Sequence, residues 1–327
     1  MKKPIPVSVI IPAYNVAEVL PKTLDSLRTQ VYPIRECIVI DNHSSDDTVS
    51  VVNAYKKSHH FSKLIIIVRD RTYGISASYN LGAKVAKSTY VVMLHSDSIL
   101  PSRYELSRLM KPFFEDNLVV ATYPIIVHSR SVWLSYTFWQ KCLFAQAVGT
   151  ERPSANGKFD AYKRSVFRQA RGFDEVHFAH TMGTEDADMC IRVRKKGKAV
   201  QTQARVVHYH GVDLNYSLGD WIARRAFLAI SYGRYVQMHG NEIGFEVIVF
   251  TIKPFLSLVT IIGLFISPLA LLVPFVFSVV YMRRMFMDPA TRLDPRIITL
   301  PFIVTFLLFY ESFLTVYSFL FLKSDRV

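Results

Sequence analysis

Two runs near the C-terminus limit this chain more than any other feature. Residues 245–282 (FEVIVFTIKPFLSLVTIIGLFISPLALLVPFVFSVVYM) hold only two charges, Glu246 and Lys253. Residues 298–322 (ITLPFIVTFLLFYESFLTVYSFLFL) hold one, Glu311. A helix needs about 20 apolar residues to cross a bilayer. The second run is long enough for one span. The first, at 38 residues, is too long for one and right for two, with Gly263 and Pro268 near its middle. Buried helices of a soluble protein are the alternative, and the run lengths and Phe/Leu/Ile density argue against it. The sequence predicts that this part spans a membrane.

Charge orients it. The loop between the runs carries Arg283, Arg284, Arg292 and Arg296, whereas the tail has Lys323 and Arg326. The excess of positive residues places the loop in the cytoplasm. If residues 1–242 are cytoplasmic too, the first run must enter and return, giving three passes or a hairpin plus one. A two-pass arrangement puts four arginines outside and ranks second. Lys2 and Lys3 precede an apolar stretch as in a signal peptide, but Pro4, Pro6 and Pro12 interrupt it and no small-residue cleavage site follows. It reads as a strand, Val7–Ile11. A multi-pass cell-membrane protein with its soluble part in the cytoplasm is the expectation.

The soluble part is basic. Of the 39 Lys+Arg and 26 Asp+Glu, residues 1–242 hold 32 and 21, so 32 less 21 leaves +11 of the net +13 there. An anionic partner follows: nucleic acid, a phosphorylated ligand or an acidic membrane surface. Half the residues are hydrophobic and mean hydropathy is +0.21, which excludes intrinsic disorder. Cys37, Cys142 and Cys190 form no CxxC pair, which argues against a disulfide scaffold and a thiolate zinc site.

Short apolar runs then alternate with helical spacing. After the first strand come a helix over 17–30 (Val19, Leu20, Leu24, Leu27), a strand at Cys37–Ile40, a helix over 46–57 and a strand at 64–68. A helix over 76–87 and a strand at 90–94 follow. This order predicts an α/β fold with a doubly wound, mostly parallel sheet covered on both faces. Ligands of such sheets bind beyond the carboxyl ends of the strands. Those ends carry Pro12-Ala13-Tyr14-Asn15, Asp41-Asn42-His43-Ser44 and His95-Ser96-Asp97.

These ends and the segments beyond them carry a resemblance. SVIIPAYN (8–15), VIDNHSSDDT (39–48), YGISASYNLGAKVAKSTYVVMLHSDSILP (73–101), RGFDE (171–175) and TEDADMCIRVRKKG (184–197) resemble, in order and spacing, the blocks of family-2 glycosyltransferases with the GT-A fold. The likeness runs from about Val7 to His210. It implies a GT-A domain over 1–215, beyond which the residues themselves read as an amphipathic interfacial linker over 216–244 and a transmembrane region of two to three helices over 245–327. It implies an inverting enzyme that moves a sugar from a UDP-, GDP- or dTDP-sugar to a lipid-linked saccharide or glycolipid at the cytoplasmic membrane face, with Mg2+ or Mn2+.

Roles follow residue by residue. Asp97, at the last position of the family's Asp-x-Asp motif, is the carboxylate for a divalent cation bridging the two phosphates. His95 replaces the first Asp, which puts the nucleotide-facing role of that position in doubt; Ser96 lies between them. Asp41 and Asn42 resemble the nucleotide-contacting loop, with Pro12, Ala13, Tyr14 and Asn15 as the wall beneath the base. The bland alternative is a strand–turn–helix connection capped by Ser45 or Asp46. Arg71 and Asn80 lie in the donor-contacting block, and Gly74 allows close backbone approach. For Arg71 a solvated loop charge is nearly as good a reading.

The resemblance of Glu185-Asp186 to the family's Glu-Asp pair implies that Asp186 is the base, with Glu185 orienting the site. Thr184 is the expected N-cap of a helix whose dipole keeps both acids ionised. His208 and His210 follow a strand (205–207), face one side and can reach the metal or the diphosphate, and His208 is the chosen ligand. Paired core histidines are the alternative. His177 and His180 carry little weight. Trp221, Arg224 and Arg225 read as an anchor at the membrane surface, since the Gln-x-x-Arg-Trp signature of processive synthases is absent there.

Two rivals remain. One makes polyprenyl phosphate itself the acceptor, although the acidic stretch expected after Asp97 is absent. The other is a non-catalytic nucleotide-sugar-binding membrane protein. Nucleic-acid binding has no motif to support it.

Overall fold

A computed structural model describes residues 4–153, 155, 157–178, 183–242 and 244–322, with backbone alone at 153 and 244–251. His180 and the terminal residues Lys2, Lys3, Lys323 and Arg326 lie outside the described residues. The chain forms two compact units. The first comprises Met1–Ser129, Gly149–Ala179 and Glu185–Gly211, and the second Arg130–Val148, His180–Thr184 and Val212–Val327. Residues 130–148, which the sequence reading leaves within 1–215, belong to the second.

The first unit is built on a nine-stranded sheet: β1 (Val7–Ala13), β2 (Ile34–Asp41), β3 (Leu64–Val68), β4 (Tyr90–Leu94), β5 (Ser98–Ile99), β6 (Val119–Val127), β7 (Glu151–Pro153), β8 (Phe159–Lys163) and β9 (Lys198–His208). The order is β3-β2-β1-β4-β8-β6-β9-β5, with β7 on β6. The pairs β2–β3, β1–β2, β1–β4 and β6–β9 are parallel, while β8 runs antiparallel to both β4 and β6. The α/β, doubly wound, mostly parallel sheet expected from the sequence is therefore present, with an antiparallel insertion at β8.

Its strands follow from their composition. Every residue of β1 and β4 is buried, as continuous apolar runs require when helices cover both faces. Alternation sorts them: Val7, Val9, Ile11, Val92 and Leu94 enter one core, and Ile10, Val91 and Met93 the other. The helix Leu20–Arg28 presents Leu20, Leu24 and Leu27, all fully buried, at helical spacing. At Gly82, in the helix Ile75–Val85, a Cβ would stand 2.3 Å from the Ile10 side chain. Glycine there lets this helix lie close on β1.

The second unit is helical. The helix Leu218–His239 opens with a capping box in which Ser217 and Asp220 satisfy each other's backbone N–H groups. Its core gathers Trp133, Phe138, Cys142, Trp221, Met285, Leu300 and Leu307. The 38-residue run folds as a helix, Gly244–Leu264, a 3-10 turn at Pro268–Leu271 and a helix Leu272–Tyr281. The last run is one helix, Leu300–Phe321. Among the described residues one helical stretch, Pro295–Phe321, is long and apolar enough to cross a bilayer. The stretches Ile252–Leu264 and Pro268–Tyr281 are apolar but shorter. Phe255, Leu258, Ile262, Phe302 and Phe313 are exposed on these helices, and Phe265 and Ile266 in the turn after Leu264.

One expectation needs correcting here. Trp221 and Arg225 were expected at the surface as interfacial anchors, but both turn inward. Trp221 is 2% exposed and stacks on Trp139 with ring centroids 5.8 Å apart. Arg225 forms a two-pronged pair with Glu311, the acid of the last apolar run. A carboxylate inside an apolar helix needs a cation, and Arg225 is the guanidinium in reach.

Candidate functional site

All the chemistry-bearing strand ends lie in the first unit. β4 ends at Leu94, and the chain turns through His95, Ser96 and Asp97 into β5. Thr23 Oγ1 donates to the Ser96 carbonyl at 2.7 Å, pinning the turn to the first helix. β5 pairs antiparallel with the end of β9, Ser98 against His208, and Tyr209 N donates to Asp97 O at 2.8 Å. This register brings the two histidines after Val207 to Asp97. His208 Nε2 lies 3.2 Å and His210 Nδ1 2.9 Å from Asp97 Oδ2, and His95 Nδ1 lies 3.8 Å from Oδ1.

Asp97 Oδ1 is buried with no hydrogen-bond partner among the described residues. One ligand atom each from His95, Asp97 and His208 fall within 4.8 Å of one another. Burial pulls the Asp97 carboxyl upward, and the imidazoles of His208 and His210 overturn this and hold it well below its usual value. Burial, with His210 alongside, pushes the His208 imidazole well below its ordinary value. An ionised carboxylate with an unused oxygen and a neutral imidazole are the forms that ligate a cation. The donor set of one carboxylate and two imidazoles fits a divalent metal. His95, doubtful in sequence, joins this group.

A second pocket edge lies at the end of β2. Asp41 is 1% exposed; its Oδ2 accepts from Ser44 N at 3.2 Å, and its Oδ1 has no hydrogen-bond partner among the described residues. Arg69 N donates to Asp41 O at 3.0 Å, and Arg69 Nη1 is likewise buried without a hydrogen-bond partner. Its guanidinium packs 3.8 Å over the Tyr73 ring, with Arg71 on the same ring at 4.7 Å. Arg71 is exposed. Pro12 and Ala13 are buried at the end of β1, and Tyr14 is 52% exposed.

Other expected site residues hold loops together. Asn15 Oδ1 accepts from Ser45 N at 2.8 Å, and Asn42 Oδ1 accepts from Tyr73 N at 2.9 Å. Asn80 donates to Phe173 O and Glu175 Oε1 and accepts from Phe173 N, fastening the RGFDE segment. Gly172 is required beneath it: φ is +68°, and a Cβ would stand 2.3 Å from Asn80 Oδ1.

The third element is the helix Glu185–Arg194, with Glu185, Asp186 and Asp188 in its first turn. Asp186 is 7% exposed and accepts from Ala187 N at 2.7 Å. At Asp186 the shift runs against the expectation that the helix dipole keeps the acids of this turn ionised. Burial of Asp186 and the charge of Glu185 beside it raise its pKa well above the ordinary value. The dipole acts over partial charges at the helix end, and desolvation is the larger effect. Thr184, the expected cap, meets the Ser231 hydroxyl in the second unit. His177 pairs with Asp174 at 2.7 Å.

Sequence reasoning missed Tyr79, Asp160 and Lys158. Tyr79 is fully desolvated, donates to Gly157 O at 2.8 Å and lies in the field of Asp160, Asp97, Glu185 and Asp186, so its phenol is held well above 10. The Tyr79 ring also stacks on His95 with centroids 6.2 Å apart, beside the Asp97 cluster. Asp160 sits in β8 and accepts from Gly157 N at 2.8 Å. The charge of Lys158 pulls the Asp186 pKa downward, against its two acidic neighbours. A lone Asp in an apolar strand was the signal for Asp160, legible only once β8 is known to lie beside β4.

A carboxylate–imidazole cluster at the end of an α/β sheet, with a buried aspartate closing β2 and an acid pair opening a nearby helix, is the arrangement of a group-transfer enzyme. The model of the family described as "Glycosyl transferase family 2" matches residues 8–171, half the chain, and the chain belongs to that family. The O-antigen chain rhamnosyltransferase RfbN of Salmonella typhimurium is 28% identical over 217 residues, 62% of this chain and 66% of that protein. UDP-Glc:alpha-D-GlcNAc-diphosphoundecaprenol beta-1,3-glucosyltransferase WfaP of Escherichia coli is 35% identical over 91 residues, 28% of this chain and 35% of that protein. The chain thus spans just under two thirds of the first relative's length and about a third of the second's. The mannosyltransferase PcManGT of Pyrobaculum calidifontis, solved with GDP-Man and Mn2+, shares the fold at TM-score 0.61 and 18% identity, over 99% of this chain and 89% of that one. The fold is therefore GT-A.

Proposed function

We propose that the protein is a membrane-anchored, metal-dependent, inverting glycosyltransferase that moves a sugar from a nucleotide-sugar to a lipid-linked saccharide or glycolipid on the cytoplasmic face. The observation that carries this is the unused, buried Asp97 Oδ1 clustered with His95 and His208. The two relatives named for O-antigen and diphosphoundecaprenol chemistry favour the acceptor class. The exposed apolar faces of the C-terminal helices favour a lipid environment. A hairpin over 244–281 plus one span fits the helix lengths better than three full passes.

In this reading His95, Asp97 and His208 hold the cation, with His210 bracing Asp97. The cation, when bound, neutralises the diphosphate leaving group. Asp41 Oδ1 and Arg69 Nη1 orient the nucleoside, over the wall of Pro12 and Ala13. Asp186 takes the proton of the acceptor hydroxyl as its oxygen bonds to the anomeric carbon and the carbon–oxygen bond to the diphosphate breaks. One displacement inverts the anomeric centre, and a raised pKa makes Asp186 a stronger base.

The test is turnover on a panel of UDP-, GDP- and dTDP-sugars with membrane lipid extract, and the product's anomeric configuration by NMR. Nucleotide binding without transfer from any donor would favour the non-catalytic reading. A retained configuration would end the single-displacement mechanism.

A further inference from the structure

In the second unit, three charges from three helices meet in apolar surroundings. Glu311, 6% exposed on Leu300–Phe321, receives Arg225 of Leu218–His239 on both oxygens, with Nη2 to Oε2 at 2.9 Å. Lys253 of Gly244–Leu264 reaches the same Oε2 at 2.5 Å. Arg225 also donates to Tyr281 Oη at 3.1 Å, and both cations lie over the Tyr281 ring, at 5.7 and 5.5 Å. These groups line a small, partly open cleft whose other walls are Trp221, Phe277, Val304, Leu307 and Leu308.

The pairing of Arg225 with Glu311 needs no third partner, because a planar guanidinium already satisfies both carboxylate oxygens. Lys253 is the excess. Two cations share one oxygen, and the site carries a net charge of +1 beside aliphatic and aromatic walls. An uncompensated charge in such surroundings is costly, and ionisable groups inside membrane segments mark sites for charged ligands. The missing component is one negative charge, and the apolar walls require it to come attached to hydrocarbon.

We propose that the Arg225–Lys253–Glu311 cleft binds the phosphate of a lipid, with the adjoining methylenes against Phe277, Val304 and Leu307. Lys253 leaves Glu311 for the phosphate, and Glu311 holds the two cations in place until then. The proposal rests on the membrane-anchored reading above but not on the transfer chemistry. The phosphate can belong to a polyprenyl carrier or to a bilayer phospholipid.

The test uses the full chain in a non-ionic detergent. Equilibrium binding is measured for farnesyl phosphate, farnesol, inorganic phosphate and dihexanoyl phosphatidylglycerol. Binding of farnesyl phosphate without farnesol or inorganic phosphate supports a polyprenyl source, and preference for phosphatidylglycerol a bilayer source. Lys253→Gln is expected to weaken the bound lipid about 10- to 100-fold, the range of a hydrogen bond to a charged group. Glu311→Gln removes the competing carboxylate and is expected to tighten it. Mn2+-dependent binding of a nucleoside diphosphate reports folding in each variant. Farnesyl phosphate and phosphatidylglycerol both failing to bind a wild type that still binds nucleotide would overturn this proposal and leave the transferase reading standing. So would variants whose melting temperatures shift while lipid affinity does not, since that is the behaviour of a purely structural clamp.

Discussion

Replacing Asp186 by Asn separates its role in chemistry from its role in the fold, because the two effects have opposite signs. Asn keeps the side-chain oxygen that accepts from Ala187 N at 2.7 Å, so the first turn of the helix keeps this bond. General-base catalysis is worth roughly 10²–10⁴-fold, so turnover should fall by that factor, about 3–5 kcal/mol in the barrier. Stability should move the other way. Burial and Glu185 raise the pKa of Asp186 in the folded protein. A raised acid contributes stability that is present below its unfolded value and lost as pH rises through the folded one. At neutral pH the charged form is therefore a strain on the fold, and a neutral amide relieves it.

The assay pairs steady-state turnover with calorimetric donor affinity and thermal unfolding, across pH. In the wild type the acid limb of kcat/KM should lie well above 3.8, the ordinary Asp value, since only the deprotonated base works. Asp186→Asn should abolish that limb, leave donor affinity nearly unchanged and raise Tm. Near-normal turnover would refute the assignment, and a loss explained wholly by donor affinity would too. Asp188 is then a poor substitute, because it already accepts from Arg192 Nε at 2.9 Å.

Asp97→Asn should weaken Mn2+ binding, read directly by paramagnetic resonance, and with it nucleotide binding; full turnover of chelator-treated wild type would refute the metal assignment. Ala290→Cys, on the exposed loop between the apolar segments, should resist a membrane-impermeant thiol reagent in intact cells, and ready labelling would place that loop outside. Asn80→Ala removes a buried-edge clamp on Phe173 and Glu175 and should cost about 1–3 kcal/mol in thermal unfolding; an unchanged Tm would show that the RGFDE segment is held otherwise.

The parallel half of the fold was legible because its information is local. β3 and β4 fall on the apolar runs 64–68 and 90–94, and β1 extends the predicted strand only to Ala13. Asp97, His208 and Asp41 were legible as motif positions at strand ends. What could not be read was pairing between distant segments. The antiparallel entry of β8 beside β4 brings Asp160 and Lys158 into the carboxylate field, and no spacing in the sequence marks it. Periodicity in a loop does not distinguish Arg69, whose Nη1 is buried, from Arg71, which is exposed.

The charges in the apolar runs show the same limit from the other side. In the sequence Lys253 and Glu311 are only counted among the few charges of two apolar runs, and Arg225 reads as a surface anchor. Each reading weighed one residue's solvation by itself. In the fold an acid in one helix sets where two cations from other helices must lie, because either charge alone would be too costly there. A charge within an apolar run therefore asks for a partner rather than for solvent. Here the count of partners does not balance, and the surplus cation makes this cluster a site to test rather than only a clamp.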